Sequence, residues 1–463
     1  MCKVRSINEL PPEILTIIFR YLDQRSLGKA TVICKYWKEV IEEACRWKIC
    51  IDCRYLKTYG PQMNQFFFTT SRKFSKIAII GLGDTNVDIR IFRRHGRNVS
   101  KLTFSRTILQ DLDYFIETIK CMPNLRQVKL FNVGIHDVAS SSTDGQQSLP
   151  EFVKLKTLEA NCANDLIRCF KRSPNLSEFV LWDFSKDTTV VEFNQSQKQL
   201  KSLVLYEIDN SSALLQPGVI TNDSVSQLYL NYDRLDKSQQ SWNNLLGFLK
   251  MHAKSVEILR LGFGTPKSVY EFVFSKFENL KSLQLPIYEI AREKELLKQL
   301  KVNKSITQLF LIGLSSKKEQ MGSQCVKEFI RCVPNVTDLT LQHCYSKEFL
   351  EILAQNLVNL RRIIFYGNFK SEYSDIRFSN LKTLRSVDVE FNFDWEKFTK
   401  LNPHITELVV TGFNKDFAVE AFETLRKNLK LQIFKISYDK YKYLHMPDDL
   451  MSGVPYWFIN DSR

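Results

Sequence analysis

The amino-acid sequence predicts an α/β solenoid, with parallel strands on its concave face and helices on its convex face, preceded by a small three-helix module. Three observations lead there. Large apolar residues recur as apolar-x-x-apolar-x-apolar along nearly the whole chain after residue 70. Segments of helical periodicity lie between these runs. The first fifty residues follow neither rule and carry short amphipathic stretches instead.

At the N-terminus, Pro11 and Pro12 stand where a helix starts, because a missing amide hydrogen costs nothing there. Ile14, Leu15, Ile18, Phe19 and Leu22 form a broad apolar stripe that Asp23 to Ser26 interrupts. A second short helix is expected to hold Leu27 and Ala30, and a third to run from about Lys35 with Trp37, Val40 and Ile41 on one side. Three short helices in so few residues make a marginal core, so a partner is expected to cover part of this apolar surface.

The repeats follow. Clear members are Leu125/Val128/Leu130, Leu200/Leu203/Leu205, Leu280/Leu283/Leu285, Val336/Leu339/Leu341 and Leu360/Ile363/Phe365. Counting weaker members gives fifteen units from Phe74 to Leu431, which are 357 residues and fourteen steps apart, a mean period of 25.5 residues. Helix-period segments such as Phe115 to Met122, Val326 to Val333 and Phe349 to Leu353 separate them. No such unit buries its apolar face alone, so neighbours must stack. Polar insertions at Ser140 to Leu149, Asp233 to Trp242 and Ser315 to Gln324 are expected as loops. The expected boundaries are 1–55 for the helical module, 56–73 for a linker or capping segment, 74–440 for the array and 441–463 for a cap or tail.

Period and pattern together resemble leucine-rich repeats. The sequence departs from that family where an Asn or Cys closes the strand motif, since only Cys344, Asn368 and Asn392 match at that spacing. The N-terminal segment resembles an F-box: Leu10-Pro11-x-Glu13-Ile14-Leu15, then Ile18-Phe19-x-x-Leu22, then Ile33-Cys34-Lys35-x-Trp37. The resemblance implies that Leu10, Pro11, Ile14, Leu15, Ile18, Phe19, Leu22, Leu27, Ile33, Cys34 and Trp37 include the residues that dock a Skp-family adaptor, the others packing the helices together. Leu10 and Pro11 read as interface; Ile14 and Ile18 fit either role. The pairing of the two resembles the F-box and leucine-rich-repeat family. It implies a substrate receptor of an SCF-type cullin-RING ubiquitin ligase, reaching cullin and RING subunit through the adaptor and marking a target for proteasomal degradation. Catalysis by such a protein is positional, raising effective concentration.

Composition agrees with a soluble globular chain. The 463 residues are 44% hydrophobic and 25% charged, and no stretch approaches the ~20 apolar residues of a membrane span. Residues 1–15 lack the apolar core of a secretory signal, so a cytoplasmic or nuclear location is expected and the eleven cysteines are read as free thiols. No phosphate-binding loop, zinc-protease motif or nucleophile elbow is present. Gly81-Leu-Gly83 and Gly262-Phe-Gly264 lack the third glycine of a dinucleotide fingerprint, Cys50 and Cys53 lack a second ligand pair for zinc, and His343-Cys344 reads as a strand-closing turn. No cofactor, metal or catalytic residue is expected.

Alternation along each strand places Phe131, Trp182, Tyr206, Tyr229, Phe310 and Tyr366 on the concave face, either as recognition anchors or as cross-strand pairs. Lys76, Lys101 and Lys129 lie early, Arg260 and Arg362 stand apart, and Asp388, Glu390 and Glu407 lie late. A target acidic at one end and basic at the other fits that distribution. The net charge of +14 first suggests an anionic partner such as nucleic acid. Much of it, however, falls on helices and loops, for example Lys294, Lys298, Lys301 and Lys304, which makes it weak support for a nucleic-acid ligand. The alternative is a repeat scaffold outside any ligase, binding protein or nucleic acid, with a box that is vestigial or serves another assembly.

Overall fold

The computed structural model describes residues 7–81, 87–136, 149–161, 163–182, 188–206, 224–231, 239–287, 290, 294–313, 323–342, 345–390, 392–411, 425 and 433–437. The chain divides into two units, Met1–Lys201 with Ser211–Leu214, and Ser202–Asn210 with Leu215–Arg463. Each is considered by itself.

The first unit opens with helices α1 (Pro12–Arg20), α2 (Gln24–Ala30) and α3 (Lys35–Ala44). Each has a local reason to start. Pro12 occupies the first turn of α1, the Asp23 carboxylate accepts from the Ser26 amide at 2.7 Å, and the Cys34 sulfur accepts from the Trp37 amide at 3.4 Å. Strand β1 (Arg46–Asp52) follows directly, then helix α4 (Leu56–Thr69) and strands β2 (Lys73–Ile80), β3 (Lys101–Leu109), β4 (Gln127–Ile135), β5 (Thr157–Asn161) and β6 (Glu178–Trp182). Each pairs in parallel with the next.

The second unit continues the rule with β7 (Ser202–Tyr206), β8 (Gln227–Leu230), β9 (Ile258–Leu261), β10 (Ser282–Pro286), β11 (Gln308–Ile312), β12 (Asp338–Gln342), β13 (Arg362–Phe369), β14 (Thr383–Val389), β15 (Glu407–Thr411) and β16 (Ile433–Ser437). These too pair in parallel in chain order. Helices such as Lys267–Lys276, Ser323–Arg331 and Lys347–Asn356 connect them. Both units are therefore stretches of an α/β solenoid, as the repeat pattern predicts.

The middle apolar position of the motif builds the core. Leu102, Val128, Leu158 and Phe179 face one another across β3 to β6, and Leu259, Leu283, Leu309, Leu339 and Ile363 do the same across β9 to β13. All are buried. Across β3 to β6 and β9 to β13 the choice of buried face is fixed because each neighbour repeats the same register.

The sheet starts one strand earlier than the repeat count from Phe74 expects. β1 falls inside the segment assigned to the helical module, and the expected linker at 56–73 is largely helix α4. Trp47 and Ile51 are its buried residues, an apolar pair four apart that does not fit the motif spacing. The insertions Ser140 to Leu149, Asp233 to Trp242 and Ser315 to Gln324 fall mostly outside the described residues, as do His343, Cys344, Gly83 and 441–463. Gln239–Trp242 and Ser323–Gln324, however, begin helices Gln239–His252 and Ser323–Arg331.

The missing strand-closing Asn is replaced by another device. Asn124, Asn175, Asn279, Asn335 and Asn380 each stand immediately before the first apolar position of a unit, and each side-chain amide donates to a carbonyl of the preceding unit, at 2.6 to 2.8 Å. Asn402 does this in buried form, donating to Ile376 O and Phe398 O while its carbonyl accepts from the Phe378 amide at 2.7 Å. Successive repeats are thus tied at the helix-to-strand turn.

Candidate functional site

Two surfaces concentrate the predicted site residues. The first is the helical module. At about 100° per residue, α1 carries two apolar faces side by side. Leu15 and Phe19 point inward and are fully buried, and the Phe19 ring meets the Trp37 ring edge-on at 5.1 Å, which fastens α1 to α3. Ile14, Ile17 and Tyr21, at spacings of three and four, line the other face and are exposed. Ile18 and Leu22 lie between the two and are half-buried. Leu27 is buried, Cys34 is occupied as a helix cap, Trp37 is half-buried, and Pro11 and Ile33 are exposed. Leu10 is half-buried, its carbonyl accepting from Tyr36 Oη at 3.1 Å.

So the eleven predicted residues divide. Leu15, Phe19 and Leu27 are core, whereas Pro11, Ile14 and Ile33 remain at the surface with three residues the sequence reading left out, Ile17, Tyr21 and Val32. The spacing of Ile14, Ile17 and Tyr21 was a signal that could have found the first two.

The module is held firmly to the sheet behind it. Arg72 sits 4.2 Å above the Trp47 ring and 3.6 Å from the Glu42 carboxylate, Ser71 Oγ donates to Glu42 at 2.5 Å, and Lys73 Nζ reaches the Glu43 carbonyl at 3.2 Å. The contacts to Glu42 and Glu43 join α3 to the start of β2, and Arg72 also covers Trp47 of β1.

The second surface is the sheet face away from the helices. In the first unit, Lys48, Lys76 and Lys101 oppose one another on β1, β2 and β3. Further along, Lys129 Nζ lies 2.6 Å from Glu159 and 5.8 Å from the Phe131 ring, and Trp182 Nε1 donates to the same Glu159 at 3.2 Å. Glu159 therefore organises Lys129 and Trp182 into one partly exposed cluster beside Phe131.

In the second unit, Tyr206 and Tyr229 form a cross-strand pair, the second of the two roles considered for them. They are only 2% and 3% exposed, with ring centroids 5.0 Å apart at 61°. Each covers the other, because rings on adjacent strands of one face gain more by packing than by hydration. Phe310 and Tyr366 stack at 6.4 Å and 26° and stay half-buried. They line a cavity of about 220 Å3 with Arg260, Gln284, Thr340 and Arg362. Arg362 is 3.3 Å from Asp338, Arg385 is 2.6 Å from Glu407, and Glu390 accepts from the Ser371 amide at 2.8 Å. Glu390 and Glu407 of the late acidic group are thus engaged within the fold. Asp388 lies on β14, with its side chain outside the described residues.

Cys53, Cys332 and His95 are held within the packed interior. Burial pushes the Cys53 thiol up to about 11 and raises Cys332 likewise, and burial lowers His95, whose ring nitrogen bonds the Phe67 carbonyl at 2.8 Å. Among the described residues no cluster of His, Cys, Asp and Glu could hold a metal, and no helix is long and apolar enough to cross a membrane.

Residues 7–50 match the F-box-like family. The segment is 48% identical over 44 residues to the F-box/WD repeat-containing protein pof10 of Schizosaccharomyces pombe. The match covers 10% of this chain and 7% of that relative, so the likeness is confined to the helical module. Among solved structures, the leucine-rich repeat-containing protein LegL7 of Legionella pneumophila is 14% identical, with 60% of this chain and 92% of that one covered and a TM-score of 0.35. A chain of the yeast Rad7 and Elc1 complex is 17% identical, with 76% and 88% covered and a TM-score of 0.37. The strand order and register, rather than these likenesses, establish the repeat fold.

Proposed function

We propose that the chain is a non-catalytic substrate-recognition subunit of an SCF-type ubiquitin ligase, acting in the cytoplasm or nucleus. The F-box docks a Skp-family adaptor, which brings cullin and RING subunit. The sheet face captures a target protein and presents its lysines for ubiquitination, with degradation as the outcome. The observation that carries this is the second apolar face of α1, which sits within the F-box-like segment together with the exposed Val32 and Ile33. Monomeric surfaces rarely keep so much clustered apolar area unless a partner covers it. The fastening of α3 to β1 and β2 supports the same function, since a receptor that works by positioning needs its adaptor-binding arm and its target-binding face held rigidly together.

Co-expression with a Skp-family adaptor tests it. The adaptor should co-purify with the full chain and be lost from a Leu10→Ala, Pro11→Ala double variant whose repeats remain folded by circular dichroism. Retention of the adaptor by that variant, or no capture by the wild type, overturns the proposal. The target itself would be sought among proteins that accumulate when the gene is removed.

A further inference from the structure

Two arginines of the second unit's sheet face have a carboxylate close by. Arg362 has Asp338 at 3.3 Å and Arg385 has Glu407 at 2.6 Å. Arg260 differs: it is half-buried between Tyr229 and Gln284 on the neighbouring strands, and among the described residues it has no hydrogen-bond or ion-pair partner. Burial pulls its guanidinium below the usual arginine value, with Tyr229 and Tyr206 acting the other way. An arginine does not escape such a position by losing its proton. Among the described residues, then, this half-buried charge has no counter-ion, which is a cost to stability.

The surroundings define what would relieve it. Arg260 lines the cavity of about 220 Å3, whose wall includes the stacked pair Phe310 and Tyr366 and the polar Gln284 and Thr340. That volume falls below the ~300 Å3 at which small-molecule sites begin, but it admits one side chain. A nucleic-acid backbone needs several unpaired cations in a row, whereas Arg362, the other arginine of the cavity wall, is already paired with Asp338 on that same wall.

We propose that Arg260 is the specificity-determining anchor for a single oxyanion side chain, a carboxylate or a phosphate, on an extended segment of a partner protein, with Phe310 and Tyr366 packing on the residue beside it. This rests on the sheet face being the target surface. The guanidinium offers a planar fork of donors matched to either oxyanion.

The test uses the full-length chain and an array of nine-residue peptides of randomised background, with the central residue fixed as glutamate, phosphoserine, glutamine or serine. Wild type should retain the glutamate set, the phosphoserine set or both at least about tenfold over the neutral sets. Retention of one set only identifies the oxyanion. Arg260→Gln should lose the discrimination and Arg260→Lys should keep part of it. The melting midpoint of Arg260→Gln should match or exceed that of wild type, because the unpaired charge has gone, whereas a purely structural arginine would lower it. No oxyanion preference in wild type, a preference that survives Arg260→Gln, or a lowered midpoint for that variant overturns the proposal. Adaptor co-purification is scored separately on the same protein. Its loss defeats the ligase function, while peptide failure with the adaptor retained defeats only the role of Arg260.

Discussion

Helix α1 offers a comparison within six residues of chain. Phe19 is 1% exposed and packs on Trp37, while Ile14 and Ile17 are 43% and 51% exposed. Phe19→Ala removes a buried ring from a three-helix module and should cost about 3–5 kcal/mol, enough to melt the module locally. An Ile14→Ser, Ile17→Ser double variant takes away about one isoleucine's worth of exposed surface. Folding should change by less than about 0.5 kcal/mol per site. If the adaptor buries that surface, binding should lose about 1.5–3 kcal/mol, roughly a 10- to 150-fold rise in Kd. Thermal unfolding and calorimetric titration with a Skp-family adaptor read the two effects separately. A double variant that binds within twofold of wild type, or one that unfolds as Phe19→Ala does, refutes the assignment of the two faces.

Three further outcomes follow from the fold. Asn402→Ala breaks three buried hydrogen bonds and orphans the Phe378 amide, so a loss of about 2–4 kcal/mol is expected, against about 1 kcal/mol or less for the exposed Asn335→Ala; denaturant midpoints decide it. Lys76→Glu replaces a like-charge neighbour of Lys48 and Lys101 with an opposite one and should stabilise by about 0.2–1 kcal/mol at low salt, a gain that should shrink as salt rises. Cys53 has its thiol raised from 9.0 to about 11, so the folded state holds that proton more tightly than the unfolded chain does. Its contribution is complete below pH 9 and is lost as pH rises from 9 towards 11, so a pH series of melting temperatures should turn down across that window, less so in Cys53→Ala. Alkylation near pH 8 should label the exposed Cys50 ahead of Cys53.

The solenoid was legible because its signal is repetitive. The residues Leu102, Val128 and Leu158 occupy one motif position, and identical spacing in neighbouring units leaves a single register that buries them all. The turn asparagines were equally readable once their place before each first apolar residue was noticed, since they recur at that spot in Asn124, Asn175 and Asn335. β1 escaped because a chain segment can join a sheet through backbone pairing alone, without carrying the motif. Helix periodicity showed that α1 was apolar over a wide arc. It did not say which half faced α3, because that depends on where Trp37 lies, eighteen residues on. The same limit holds on the sheet. Alternation puts Tyr206, Tyr229, Arg260 and Phe310 on one face, but burial, stacking and counter-ion depend on neighbours brought alongside from other units. Local chemistry thus dictated strands, helices and the box. Which rings close on each other, and which arginine is left without a carboxylate, arises only when distant repeats stack, because solvation and Coulomb energy are set by spatial neighbours.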